Sequence, residues 1–219
     1  MNDSKVDSVL DFIKFVLENG KYYLFRGQRE DWPLFPCIDR VDHYGAERND
    51  HEKLMLQEFE RRARAFADKP FFNRWELHTL ARHHGVPTRF LDWTENPLCA
   101  LLFAVYEPSR QDSIVHCYMY QTDQALDINH NPDPFNIQRM ELFKPPHIHP
   151  RIAHQNSAFT VHPEKINDND WPGSMHKLII PNNKRETIKH SLTRLGITYC
   201  NFFPDLDGIG THIRNDWCR

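Results

Sequence analysis

The sequence predicts an α+β fold in which N-terminal helices pack on a mixed or antiparallel sheet. Helical periodicity comes first along the chain and strand-like alternation later, an order typical of α+β domains. The chain has no internal repeat, and no low-complexity linker divides it. With 219 residues, 40% of them hydrophobic and 12% aromatic, it can bury a core of its own. We therefore treat residues 1–219 as a single domain.

Apolar residues at spacings of three and four predict five helices. The first is an amphipathic helix within the N-terminal 20 residues, which Asn19-Gly20 ends. The others cover about 46–67, 73–84, 97–105 and 184–195. The helix over 46–67 carries apolar residues that we expect to face the core, namely Leu54, Met55, Phe59, Ala63 and Phe66.

Strand-like segments lie between and after these helices. Alternation and β-branched content predict strands over about 22–26, 87–94, 113–120, 157–162 and 177–181. The first strand should end at Gly27. Residues 127–150 are polar and rich in proline, which indicates a long functional loop or an insertion.

Charge and cysteine usage narrow the class of protein. A formal net charge of −3 argues against a protein that wraps along nucleic acid by charge alone. No apolar run approaches the roughly 18 residues of a membrane span, and acidic residues in the N-terminal helix argue against a signal peptide. Five scattered cysteines without a CxxC pair indicate reduced thiols. We expect a cytoplasmic protein with no membrane contact.

The segment Phe25-Arg26-Gly27-Gln28 is the first that could carry chemistry. A guanidinium makes two parallel hydrogen bonds to a phosphate or carboxylate, and a glycine beside it lets a ligand approach the backbone. Pairing of Arg26 with an acidic neighbour at a tight turn would explain the same residues without a ligand.

The second segment runs from His83 to Thr94. Strand alternation puts Thr88, Asp92 and Thr94 on one face. Polar groups at the end of a strand, just before a helix, occupy a frequent place for ligand sites. Capping of the next helix, which Asn96 and Pro97 open, accounts for part of this polarity.

Together the two segments resemble the hallmark blocks of the FRG domain family, named for its Phe-Arg-Gly signature. The second block is HHGVPTRFLDWTENPLCALLFAV, residues 83–105. RIAHQNSAFTVH, residues 151–162, and FFPDLDGI, residues 202–209, look like the two later blocks. The resemblance covers about residues 22–209 and implies one FRG domain, a fold relation more than an activity.

A further resemblance is to ADP-ribosyltransferases of the arginine–serine–glutamate type. Their first strand bears an aromatic-Arg-Gly motif whose arginine holds the phosphates of the dinucleotide, as Arg26 would here. Their Ser-Thr-Ser-like strand and the helix after it are matched by Asp92-Trp93-Thr94 with Ala100 and Phe103. The resemblance implies an ADP-ribosyltransferase-like fold with NAD as substrate, for transfer of ADP-ribose or for hydrolysis.

The catalytic glutamate of that family is matched here by Gln155, which is a departure. Cleavage of the nicotinamide–ribose bond passes through an oxocarbenium-like state that a carboxylate stabilises, and an amide offers only a dipole. Asp92 is our first candidate for the missing charge, and Glu141 and Glu164 are the others. The catalytic residues implied are Arg26, Asp92, Thr94 and Gln155.

A wider set of residues is expected to contact the dinucleotide. Its members belong to the first two blocks and are Phe25, Arg26, Gly27, Gln28, His84, Thr88, Arg89 and Trp93. Trp32 and Phe35, in the loop after the first block, could stack on a base or on the nicotinamide ring.

The leading hypothesis is therefore an NAD-using enzyme that acts as a bacterial toxin or phage-defence effector, by analogy with small transferases. Its expected partners are a nucleotide ligand, a protein or nucleic-acid acceptor, and an antitoxin that neutralises it. One alternative is a module that binds a nucleotide or nucleic acid without chemistry. Another is a metal-dependent phosphodiesterase or nuclease built on Asp92, His84 and Arg26.

The 14 histidines are the last feature. His147, His149 and His154 have a spacing at which imidazoles could chelate a metal ion. No matching cysteine or carboxylate cluster completes such a site, so solvated or capping roles are the simpler interpretation. We predict no bound metal.

Overall fold

The computed structural model describes residues 2–19, 23–66, 73–120, 125–164 and 171–217. These residues form seven strands and eight helices. The strands are β1 (Asn2–Lys5), β2 (Tyr23–Gln28), β3 (Phe90–Thr94), β4 (Ser113–Met119), β5 (Glu141–Phe143), β6 (Ser157–Val161) and β7 (Ser174–Ile180). The helices are α1 (Val9–Asn19), α2 (Arg48–Ala63), α3 (Arg74–His83), α4 (Pro97–Val105), α5 (Pro150–His154), α6 (Arg185–Arg194), α7 (Tyr199–Phe202) and α8 (Leu206–Trp217).

All seven strands join one mixed sheet in the order β1-β7-β4-β2-β3-β6-β5. Only the β1–β7 pair is parallel among the described strands, and the other neighbours are antiparallel. The α+β class and the mixed sheet are confirmed. Whether the fold is that of an ADP-ribosyltransferase stays a prediction.

One face of the sheet is covered by helices. Apolar side chains of α1, α4 and α6 pack there on β2, β4 and β7, with Phe12, Leu101 and Ile188 among them. On the same face, Trp75 of α3 packs on Phe90 of β3. The opposite face is covered by loop residues, which pack on a cluster that includes Leu24, Leu91, Trp93, Tyr118 and Met175.

Local signals placed several helices well. Helix α3 begins after Asn73, whose side chain accepts a hydrogen bond from the Glu76 nitrogen, and Gly85 follows it with a positive φ of 84°. Helix α4 begins after Asn96 with Pro97 in its first turn, as predicted. Cys99 on α4 and Cys117 on β4 are buried free thiols. The fifth cysteine, Cys218, lies outside the described residues.

Some predictions were wrong. The N-terminal segment is not one helix, because residues 2–5 form β1 beside β7 and the helix begins at Val9. Gly27 does not end the first strand but lies inside β2, paired with Val115. The stretch 127–150 contains a short strand, β5, which pairs with β6.

The apolar stripe predicted for the interior on α2 is only partly buried: Met55, Phe59 and Ala63 are half-buried, and the other two residues are exposed. Leu54 is 61% exposed, and Phe66, just beyond the helix, is 88% exposed. The buried residues of α2 are Arg48, Glu52 and Leu56. The helix therefore turns two charged residues inward, where Arg48 binds Asp39 and Glu52 binds Arg89.

Candidate functional site

Strands β2 and β3 share a single paired position, Phe25 with Thr94. Strand β4, by contrast, pairs along the whole of β2. Beyond Phe25 the two strands separate, and we call the space between them the β2–β3 cleft. It holds a cavity of about 70 Å³ lined by Phe25, Arg26, Gly27, His83, Asp92, Trp93, Thr94, Phe103, Ile152, Gln155, Ser157 and Phe159.

Three charged groups meet in the cleft. The Arg26 guanidinium donates from Nη1 to the backbone oxygen of Asp92 at 2.8 Å, in the place of a strand-to-strand hydrogen bond. Its Nη1 lies 3.6 Å from Asp92 Oδ2. Arg82, from the last turn of α3, donates to the same carboxylate from Nε at 3.0 Å and from Nη2 at 2.6 Å. Two cations thus share one carboxylate, which leaves one positive charge in excess.

The titration of these groups follows from burial and proximity. Burial lowers the pKa of the Arg26 guanidinium to about 10, although attraction to Asp92 acts the other way. Burial acts to raise the pKa of the Asp92 carboxyl, but the charges of Arg82 and Arg26 outweigh it and the pKa lies below its ordinary value. All three groups are therefore ionised at neutral pH. Arg26 Nε is buried and has no hydrogen-bond partner among the described residues.

Thr94 and Gln155 also reach the cleft but are held by backbone groups. The Thr94 hydroxyl donates to the Gln155 backbone oxygen and accepts from the Asn96 nitrogen at 2.9 Å. The Gln155 amide donates to the backbone oxygen of Phe202 at 3.1 Å. Both side chains tie β3 to the α5–β6 turn and to α7.

Phe25, Gly27 and Trp93 line the cleft, and each of them also packs against other parts of the protein. Phe25 packs with α4 in the main core, and the backbone of α4 lies directly against Gly27. The Trp93 indole is buried and donates from Nε1 to the Thr160 hydroxyl at 3.0 Å. The backbone that lies close to Gly27 is therefore that of α4, where a ligand was expected from the sequence.

The other predicted contact residues lie away from the cavity. Gln28 is buried and bound to His116, with its Oε1 3.0 Å from Nε2 of that imidazole. The Thr88 hydroxyl accepts from the Phe90 nitrogen at 3.4 Å. Arg89 is fully buried against Glu52. His84 is exposed and stacks on Phe59.

The remaining candidates are also placed elsewhere. Glu141 lies on β5, 3.7 Å from the Arg139 guanidinium, and Glu164 is exposed. Trp32 lies under the Arg29 guanidinium, which is 5.3 Å from its ring centroid. The Phe35 backbone oxygen accepts from Arg40. Asp92 is therefore the one carboxylate among the described residues that line the cavity.

A group of imidazoles borders the cleft. The ring centroids of His83 and His149 are 4.3 Å apart, and His84 lies within 5.6 Å of both. Burial, and then the neighbouring His149, lower the pKa of His83 to about 4, so this imidazole is neutral at physiological pH.

The three histidines considered as metal ligands have other partners or are exposed. His149 caps α5, its Nδ1 accepting from the Arg151 nitrogen at 3.3 Å, and His154 Nδ1 lies 3.0 Å from the Asn201 oxygen. His147 is exposed. Within the described ranges, no group of three or more His, Cys, Asp or Glu side chains is arranged to hold a metal ion.

Two residues of the cleft were not predicted, Arg82 and His83. The sequence indicates that Asp92 needs a cationic partner, because it is a carboxylate in an apolar strand, but it does not identify Arg82 as that partner. Arg82 stands ten residues before Asp92 in the chain, at the end of the helix that leads into that strand.

Residues 21–113 match the family model of the FRG domain, which confirms the resemblance to this family over that part of the chain. The match contains Arg26, Arg82 and Asp92 but ends before Gln155 and the two later blocks. No curated protein and no solved structure matches the chain. No helix of the described residues is long and apolar enough to cross a membrane.

Proposed function

We propose that the β2–β3 cleft binds NAD as a substrate and that the protein cleaves its nicotinamide–ribose bond, releasing nicotinamide and transferring ADP-ribose to an acceptor or to water. One observation carries the proposal. Seven residues from three separate segments, expected together from sequence, line one cavity: Phe25, Arg26, Gly27, Asp92, Trp93, Thr94 and Gln155.

The charges of the cleft support binding of a diphosphate. Arg26 and Arg82 place two guanidinium groups on one carboxylate, and the one positive charge left in excess would attract an anionic diphosphate. Arg26 Nε is a buried donor without a partner in the described structure, and a phosphate oxygen would satisfy it. Release of Asp92 from Arg82 would then free a carboxylate to stabilise the oxocarbenium-like state.

The size of the cavity sets a condition on this proposal. A volume of about 70 Å³ holds roughly two water molecules, whereas sites for ligands of this size occupy several hundred Å³. The dinucleotide therefore requires a wider cleft. The Arg82–Asp92 ion pair, which joins α3 to β3, is the contact that has to open.

A second candidate, binding of a nucleotide without turnover, is favoured by one observation. The Gln155 amide and the Thr94 hydroxyl are both engaged with backbone oxygens of the protein itself, so neither is free to act on a substrate. This candidate shares the arginines with the first and differs in the absence of bond cleavage.

The experiment incubates the purified chain with NAD and measures nicotinamide release together with the heat of binding. Four proteins are compared: wild type, Arg26→Lys, Asp92→Asn and the surface control Arg61→Ala, which removes an exposed arginine of α2. For the enzyme we expect release by wild type and the control. We expect Arg26→Lys to weaken binding, because lysine cannot donate two parallel hydrogen bonds.

Asp92→Asn separates the two candidates. Removal of the carboxylate should keep the heat of binding and lower release by roughly 100-fold or more, in line with loss of one stabilising group in a transition state. A measurable heat of NAD binding without nicotinamide release in wild type would favour the binding module. If wild type gives neither binding heat nor nicotinamide release at about 1 mM NAD, where a Kd of that size corresponds to a binding free energy of about −4 kcal/mol, the enzyme is ruled out for the isolated chain. NAD is then also excluded as the nucleotide of the binding module.

A further inference from the structure

Helix α8 is amphipathic, but its polar side faces the protein. Gly208 is buried, and a Cβ there would lie 2.5 Å from that of Phe203. The Asp216 carboxylate is 3.0 Å from Lys189 Nζ and 2.8 Å from His212 Nδ1, and the Thr211 backbone oxygen accepts from the Tyr106 hydroxyl at 3.5 Å. The inner face of α8 is thus made of glycine and polar groups.

The outer face of α8 is apolar. Leu206 is 85% exposed, Ile209 44%, Ile213 49% and Trp217 80%. At 100° per residue these four side chains fall within an arc of about 80°, opposite to Gly208 and Asn215. A helix of a monomer normally buries such a stripe, and the reversed orientation marks a surface for association.

We propose that the outer face of α8 binds a second copy of this chain, with the two helices antiparallel about a two-fold axis near residue 211. In that arrangement Ile209 of one copy lies on Ile213 of the second, and Leu206 lies on Trp217. The stripe is therefore complementary to itself, which an isologous interface requires.

The charged residues beside the stripe are also complementary to themselves across this two-fold axis. Asp207 and Arg214 are exposed, and they lie about 20° apart in helical projection on one flank of the apolar face. Antiparallel pairing brings the same flanks of the two helices together, so Asp207 of each copy faces Arg214 of the other. Two ion pairs related by the axis result.

A small residue lies one position from the axis. Gly210 lies next to the stripe, with no atom within 4 Å of where its Cβ would be. A glycine at the crossing point lets two helix backbones approach closely. A helix of 12 residues is roughly 18 Å long, which gives a small interface, so the dimer should dissociate on dilution.

The charges favour a second copy over a lipid surface. Helices that lie on membranes carry a lysine- or arginine-rich polar face, whereas Asp207 and Arg214 next to this stripe cancel. One acidic and one basic residue on the same flank can each pair with the opposite charge of a second copy.

Sedimentation equilibrium of the full chain over a range of concentrations tests the proposal. We expect a reversible dimer in wild type. Ile209→Lys/Ile213→Lys should raise the dissociation constant more than about tenfold, because each substitution acts twice in a two-fold interface. The control Leu10→Lys changes an exposed leucine of α1 and should leave the dimer intact.

Charge reversal tests the register. Asp207→Arg or Arg214→Asp alone should weaken the dimer, and the two together should restore it. A wild-type chain that stays monomeric at high concentration, or a dimer indifferent to the lysine variants, would overturn the proposal. So would binding of the monomer, through the same isoleucines, to vesicles of phosphatidylcholine and phosphatidylglycerol. None of these outcomes depends on NAD.

Discussion

At the scale of single residues, the most constrained polar group is the Arg89–Glu52 pair. Both side chains are fully buried. The backbone nitrogen of Arg89 donates to Glu52 Oε1 at 2.8 Å. The Arg89 guanidinium donates to Glu52 Oε2 from Nε at 3.0 Å and from Nη2 at 2.8 Å. It also donates to the Pro134 oxygen and lies 4.1 Å from the centroid of the Phe135 ring. One arginine thus joins α2, the start of β3 and the segment before β5.

Removal of either partner leaves a buried charge without compensation. We expect Arg89→Met to lower the free energy of unfolding by about 3–5 kcal/mol, and Glu52→Gln to have a similar effect. The double variant should be less destabilised than the sum of the two, because the penalty of the unpaired charge disappears. Urea denaturation measures all three. A matched control is Arg61→Met, whose partner Glu58 is exposed and whose loss should be hard to detect. Additive effects in the double variant would contradict this account.

At the scale of elements, the contact between α4 and β2 sets the position of the cleft. Gly27 is the next-to-last residue of β2, and a Cβ there would overlap the Ala100 oxygen and lie 2.8 Å from the Ala104 nitrogen. Helix α4 therefore rests directly on the strand that carries Arg26. The glycine of the Phe-Arg-Gly signature serves packing of helix on strand, not a left-handed backbone conformation.

Gly27→Ala should consequently displace α4 from the sheet. We expect a loss of roughly 1–3 kcal/mol or more in the free energy of unfolding, because the added methyl meets backbone atoms that cannot rotate away. Gly210→Ala is the matched control, since an added Cβ there meets no atom within 4 Å and alanine favours a helix. Thermal unfolding of the two variants at low protein concentration gives the comparison. Equal stability of Gly27→Ala and wild type would show that α4 does not need this contact.

The same elements show what the sequence could and could not predict. Helices α3, α4 and α6 were located because their caps and apolar spacing are local signals. The inner face of α2 was assigned wrongly, since periodicity expects apolar residues inside and this helix buries Arg48 and Glu52. Arg26 and Asp92 were expected in one site and lie in contact in the structure, but Arg82 was missed because its position depends on how α3 lies against β3, which no local pattern encodes.

At the scale of the whole molecule, buried imidazoles couple stability to pH. His78, His116 and His162 are each at most 4% exposed. Burial lowers the pKa of His78 to about 4, against the attraction of Glu52, and lowers that of His116 to about 4 and of His162 to about 3. All three are neutral in the folded protein at pH 7.

Acidification should therefore begin to destabilise the protein at a pH above the pKa values of its carboxylates. Between about pH 6.5 and pH 4 the unfolded chain binds protons that the folded chain does not, so the free energy of unfolding falls as pH falls. Three imidazoles give a slope of at most about 4 kcal/mol per pH unit in this window.

Urea denaturation at a series of pH values measures that slope. His116→Gln removes one of the three protons and should make the slope shallower, whereas His147→Gln, an exposed substitution, should not. A slope that His116→Gln leaves unchanged would mean that this imidazole is already charged in the folded state, and Gln28 Oε1 and Arg26 would then have to accommodate a second cation beside β2.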